Sequence, residues 1–130
     1  MGRILICDHN CAEANRVEAL LIEEGYMVDV VTWISDVLYK IGSDSYQTVI
    51  LGINKDRSWG IESISLINQV KRDLPIIIIV EEDSVEFQRE IRKGRIFYYF
   101  VRPVAPEEIK AVVKGAVSKS KRIGSFSFIN

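Results

Sequence analysis

The chemistry this sequence offers gathers at Asp8, His9, Gly52, Asn54, Val80, Glu81 and Arg102. Each lies at or just beyond the end of a short apolar run, and the carboxyl ends of strands in an open parallel sheet border a common crevice. Such a crevice holds two carboxylates, an imidazole and a guanidinium. Asp8, His9 and Cys11 supply ligand types that suit a transition metal, but they crowd one turn and no fourth ligand accompanies them. Arg102 could anchor an anion, or fork onto Asp8 or Glu81 and fill the space left at Gly52. The second arrangement satisfies carboxylates that would otherwise be stranded, and it is the one expected here. Gly52 could leave room for a small ligand, although a strand-end glycine more often permits close approach of a neighbour. No metal, no cofactor and no catalytic residue is expected.

These positions need strands to carry them. Ile4 to Cys7 is a continuous apolar run ending in a turn, and Asn10 with Glu13 forms a capping pair for a helix from Cys11 to about Glu24. Gly25 stops that helix, and Tyr26 to Val31 reads as a second strand near a sheet edge because Asp29 interrupts it. Trp33 to Ile41 forms a short helix, and Thr48 to Ile53 is apolar enough to be buried on both faces. Ile61, Ile64, Ile67 and Val70 mark a third helix, Ile76 to Val80 a central strand, and Val85 to Lys93 a weakly apolar helix. Ile96 to Val101 closes the set of strands. Pro106 opens a last helix with Ile109, Val112, Val113, Ala116 and Val117 inward. Strands alternating strictly with helices make an α/β fold, a flavodoxin-like (βα)5 three-layer sandwich with parallel sheet order 2-1-3-4-5.

The chain has 130 residues, enough for one domain, expected over 1–119 with 120–130 as a polar tail or linker. Seventeen Lys and Arg against 18 Asp and Glu give a net charge of -1, which removes the simplest nucleic-acid and anionic-membrane readings. No apolar run reaches the roughly 18 residues of a membrane span, so a cytoplasmic location is expected. Cys7 and Cys11 are then expected to stay reduced, Cys7 as a small buried hydrophobe.

The strand ends Ile4 to Asn10, the stretch Tyr46 to Gly60, Pro75 to Val80, and Tyr99 to Pro103 followed by Pro106-Glu107-Glu108 together resemble the receiver domain of bacterial response regulators. The resemblance covers roughly residues 3 to 119. It implies an aspartate at the tip of the third strand that accepts a phosphoryl group, Mg2+ held by acids after the first strand, a hydroxyl after the fourth and a lysine after the fifth. Here Asp8 matches the first acid, but His9 stands for the second, Gly52 for the acceptor, Val80 for the hydroxyl and Arg102 for the lysine. Glu81 replaces the small residue after the hydroxyl. Asn54, whose carbonyl would ligate the metal, Gly60 and Pro103 fit. Asp56 is the nearest other acid, in the loop beyond the crevice.

The resemblance therefore implies a pseudo-receiver, a non-enzymatic module of a two-component-type pathway working through protein contact without phosphorylation. Its partner surface, by the same resemblance, is the face of the fourth helix, fifth strand and fifth helix around Tyr99, serving a protein partner or self-association as a homodimer. No nucleic acid or membrane partner is expected. The alternative is a small-ligand or metal sensor using the crevice around Asp8, His9, Gly52 and Arg102.

Overall fold

Two sets of apolar side chains, one on each face of a sheet, dictate the architecture of this chain. The computed structural model describes residues 2–53 and 60–129. In chain order the elements are β1 (Arg3–Cys7), α1 (Cys11–Glu23), β2 (Met27–Val31), α2 (Ile34–Ser43), β3 (Thr48–Ile53), α3 (Gly60–Val70), β4 (Ile76–Val80), α4 (Val85–Ile91), β5 (Tyr98–Val101) and α5 (Pro106–Ile129). The strands pair in parallel in the order β2-β1-β3-β4-β5, as the alternation of elements predicts. The fold is the flavodoxin-like three-layer sandwich.

Burial follows position in the sheet. Every residue of β3 and β4 is buried, whereas β2 and β5, at the two edges, are partly exposed along their length. Leu5, Val49, Leu51, Ile76 and Ile78 face α2, α3 and α4, and Ile4, Ile6, Ile50, Ile77 and Ile79 face α1 and α5. Alternation along each strand thus feeds both cores, which explains why these strands read as unbroken apolar runs. Fully burying one such aliphatic side chain contributes about 1.5–3 kcal/mol.

Element ends shift by a residue or two from their sequence signals, α2 running to Ser43, α4 stopping at Ile91 and β5 starting at Tyr98. The Asn10 side chain accepts from the Glu13 backbone N–H at 3.0 Å and starts α1. However, the Glu13 carboxylate turns to Arg16, bonding it at 3.0 and 3.3 Å, so the expected reciprocal capping box is not made. Gly25 ends α1 with φ at 94°, where a side chain would be strained. Asp29, the residue that marked β2 as an edge strand, accepts from Tyr46 at 2.6 Å and from Arg3 at 3.0 Å, tying β2 to β1 and to the start of β3. α5 continues to Ile129, so the stretch read as a polar tail or linker is helical as far as residue 129. Lys, Arg and Ser do not break a helix, so a polar stretch need not end one.

Candidate functional site

Parallel register decides which residues meet at the carboxyl end of the sheet. Cys7 pairs with Leu51, so the next residues on those strands, Asp8 and Gly52, stand side by side. Gly52 in turn pairs with Ile79, and Val80 pairs with Val101. The chain is held just beyond by a bond from the Arg102 N–H to the Val80 carbonyl at 2.8 Å. That anchors the base of the Arg102 side chain at the end of β5, with β4 between it and β3. Its four-atom stem then reaches across to Asp8.

The Arg102 Nη2 donates to Asp8 Oδ2 at 2.5 Å, and both side chains are shielded, Arg102 at 11% exposure and Asp8 at 3%. The other carboxylate oxygen, Oδ1, accepts from the backbone N–H of Asn10 at 3.0 Å. Asp8 therefore has both oxygens engaged by protein donors, one of them a cation. Glu81 lies 3.9 Å from Arg102 Nη1, close enough to attract but too far to hydrogen-bond. Among the described residues, Arg102 Nε and Nη1 are buried without a hydrogen-bond acceptor.

The vacated space at Gly52 is filled differently from the expectation. A Cβ added at Gly52 would overlap Cγ and both oxygens of the Asp8 carboxyl. The occupant is Asp8, and Arg102 grips it from the β5 side rather than entering the space itself. The cause is reach: Asp8 is the strand neighbour of Gly52, and a carboxyl group lies against a bare Cα without bending the backbone.

The remaining positions divide. Val80 is buried and carries no hydroxyl. His9 packs edge-on against Trp33, ring centroids 5.1 Å apart, at the entry to α2. Cys7 is buried, and burial, reinforced by the Asp8 and Asp36 carboxylates, pushes its thiol up to about 12. Cys11 is exposed, with its thiol 3.9 Å from the His9 carbonyl. Asn54 and Asp56 lie outside the described residues. Tyr99 donates to Asp83 Oδ1 at 3.2 Å and lies 6.3 Å from Phe87, so its hydroxyl is held by the acid before α4. Asp83 was missed as a partner. Its place before the α4 cap, Ser84, which accepts from the Phe87 N–H at 3.2 Å, was the available signal.

The described residues do not suit the Mg2+ that the resemblance implies. A hard cation wants several carboxylate oxygens, whereas here one acid is occupied by a guanidinium and the next position is an imidazole that Mg2+ disfavours. Among the described residues no three His, Cys, Asp or Glu converge as a metal site. No helix among them is long and apolar enough to cross a membrane.

Comparison with known proteins gives a consistent picture. The chain is 26% identical over 119 residues to the response regulator MprA of Mycobacterium ulcerans, covering 92% of this chain and 51% of that protein. It is 22% identical to the transcriptional regulatory protein ZraR of Salmonella typhimurium, covering 94% of this chain and 28% of that protein. The chain thus spans about half the length, or less, of these curated relatives. Among solved structures, a CheY-like receiver domain protein from Methanospirillum hungatei superposes with a TM-score of 0.85 at 20% identity, over 94% of this chain and 98% of that one. The beryllofluoride-activated NtrC4 receiver domain dimer gives 0.82 at 22% identity, over 92% and 99%. The family model of the response regulator receiver domain matches residues 4–114, and the chain belongs to that family, the receiver domains of two-component response regulators.

Proposed function

We propose that this receiver domain signals without aspartyl phosphorylation, as a non-enzymatic module acting through protein contact. The observation that carries the reading is the Asp8 carboxyl lying over Gly52, at the position where the family resemblance puts the acceptor, with Arg102 bonded to it at 2.5 Å. An acceptor carboxylate has no room there. The resemblance also makes Val80 the counterpart of the hydroxyl that steadies a phosphoryl group, and an isopropyl side chain donates no hydrogen bond. The buried Asp8–Arg102 pair stands in for the charge balance that phosphorylation and a metal would otherwise change.

Contact through α4, β5 and α5 fits the exposed surface. Of the seven residues of α4 only Phe87 and Ile91 are buried, while Val85, Tyr98 and Val101 are exposed. Beside them Tyr99 and Ile91 help line a hollow of about 270 Å³. Exposed aromatic and aliphatic groups around a shallow hollow suit a homodimer or a partner protein. The NtrC4 neighbour is itself a receiver domain dimer. Sedimentation velocity with and without a small phosphodonor and Mg2+ tests this reading. Identical profiles are expected, with self-association weakened by Tyr98→Ser; a phosphodonor-dependent change of state would refute it.

A second reading, sensing of a small anion in the crevice, draws on the two buried Arg102 donors that lack an acceptor among the described residues. Thermal-shift titration of small anions against wild type and Arg102→Lys separates the two. Specific stabilisation lost in the variant belongs to the sensor alone.

A further inference from the structure

At the amino ends of β4 and β5, opposite the crevice, a groove of about 390 Å³ is lined by Arg72, Arg92, Arg95 and Lys119, with Asp73 as the one acid in its wall. It is formed by the loop after α3, the loop after α4 and the flank of α5. Among the described residues none of the four cations is in an ion pair. Arg95 is nonetheless placed firmly. Its N–H donates to Asn68 Oδ1 at 2.9 Å, and its carbonyl accepts from Asn68 Nδ2 at 3.2 Å. Lys119 holds its ammonium 5.6 Å over the Phe97 ring.

Cations near helix ends often do no more than complement the helix dipole, and α3 and α4 both end here. Each C-terminus carries roughly half a negative charge, so two ends offset about one cation and Asp73 another. About two positive charges are left over. A partner protein would need on the order of 1,000 Å² of complementary surface, whereas a groove of this volume is of small-molecule size. Three of the four cations are arginines, whose planar forks match phosphate oxygens better than ammonium groups do.

We propose that this groove binds a soluble, multiply phosphorylated small molecule, with Arg72, Arg92 and Arg95 as its phosphate ligands. The site stands apart from the crevice and does not depend on how the crevice is read.

Isothermal titration of the full chain with tripolyphosphate in low salt is the test. Wild type should bind one equivalent. Removing one charge-assisted contact costs about tenfold in affinity or more, so Arg72→Gln/Arg92→Gln/Arg95→Gln should lose at least about a hundredfold while circular dichroism reports an intact fold. A charge-matched control, Lys40→Gln/Arg89→Gln/Lys114→Gln, should bind as wild type does. Absence of binding at millimolar tripolyphosphate, or equal loss in both triple variants, would overturn the proposal. So would binding to phosphatidylserine vesicles that tripolyphosphate does not compete away, since that would assign the groove to a membrane surface.

Discussion

The two ends of one sheet handle charge in opposite ways. At the carboxyl end a buried Asp8 and a largely shielded Arg102 are bonded at 2.5 Å, with Glu81 at the rim. At the amino end Arg72, Arg92 and Arg95 stand exposed, and among the described residues no acid is bonded to them. Buried charge has to be paired, because desolvation is costly and water cannot compensate, whereas exposed charge can wait for a ligand. The crevice is therefore a structural element as much as a site. The groove contributes to binding and little to folding.

That difference is easiest to break at Arg102. Arg102→Ala leaves the Asp8 carboxylate buried without its cation, and urea denaturation should show a loss of about 3–5 kcal/mol. Asp8→Asn/Arg102→Met removes both charges and should recover part of that loss; with the single variants Asp8→Asn and Arg102→Met it closes a cycle that gives the coupling energy between the two sites. Next in size is Gly52→Ala, whose methyl must push the Asp8 carboxyl aside. The expected cost is about 1–3 kcal/mol by the same denaturation measurement. A wild-type midpoint in either variant would mean that the crevice is looser than these distances say.

The amino end should behave otherwise. Arg72→Gln/Arg92→Gln/Arg95→Gln is expected to shift stability by no more than about 0.5 kcal/mol per site, since exposed, unpaired side chains contribute little to the folded state. A large loss would place these arginines in the fold instead of at a binding surface. The smallest effect concerns pH. The bond from Tyr46, and after it the Arg3 bond and charge, hold the Asp29 carboxyl below its ordinary range against the opposing effect of burial. A depressed folded-state pKa stabilises above the unfolded value of about 4 and is lost as pH falls through the lower folded value. Asp29→Asn should therefore flatten the acid limb of the stability curve below about pH 4.

Much of this was legible in residue types. The runs Thr48 to Ile53 and Ile76 to Val80 announce strands buried on both faces, and Asp29 announces an edge. Those signals are local, and parallel order follows from alternation and handedness. The meeting of Arg102 with Asp8 was also readable, because strand order brings their ends together. Which side chain occupies the space at Gly52 was not, since it turns on a one-residue register between β1 and β3 that no apolar pattern encodes. The basic groove was hidden for another reason. A net charge of -1 averages over the surface, and Arg72, Arg92, Arg95 and Lys119 come together only when the ends of α3 and α4 and the flank of α5 share one side of the sheet.

The central claim, that this receiver domain has no phosphoryl acceptor in its crevice, is tested most directly by intact-mass spectrometry after incubation with acetyl phosphate and Mg2+. An unchanged mass is predicted for wild type. A gain of one phosphoryl group, mapped by borohydride trapping to any aspartate, would contradict the account.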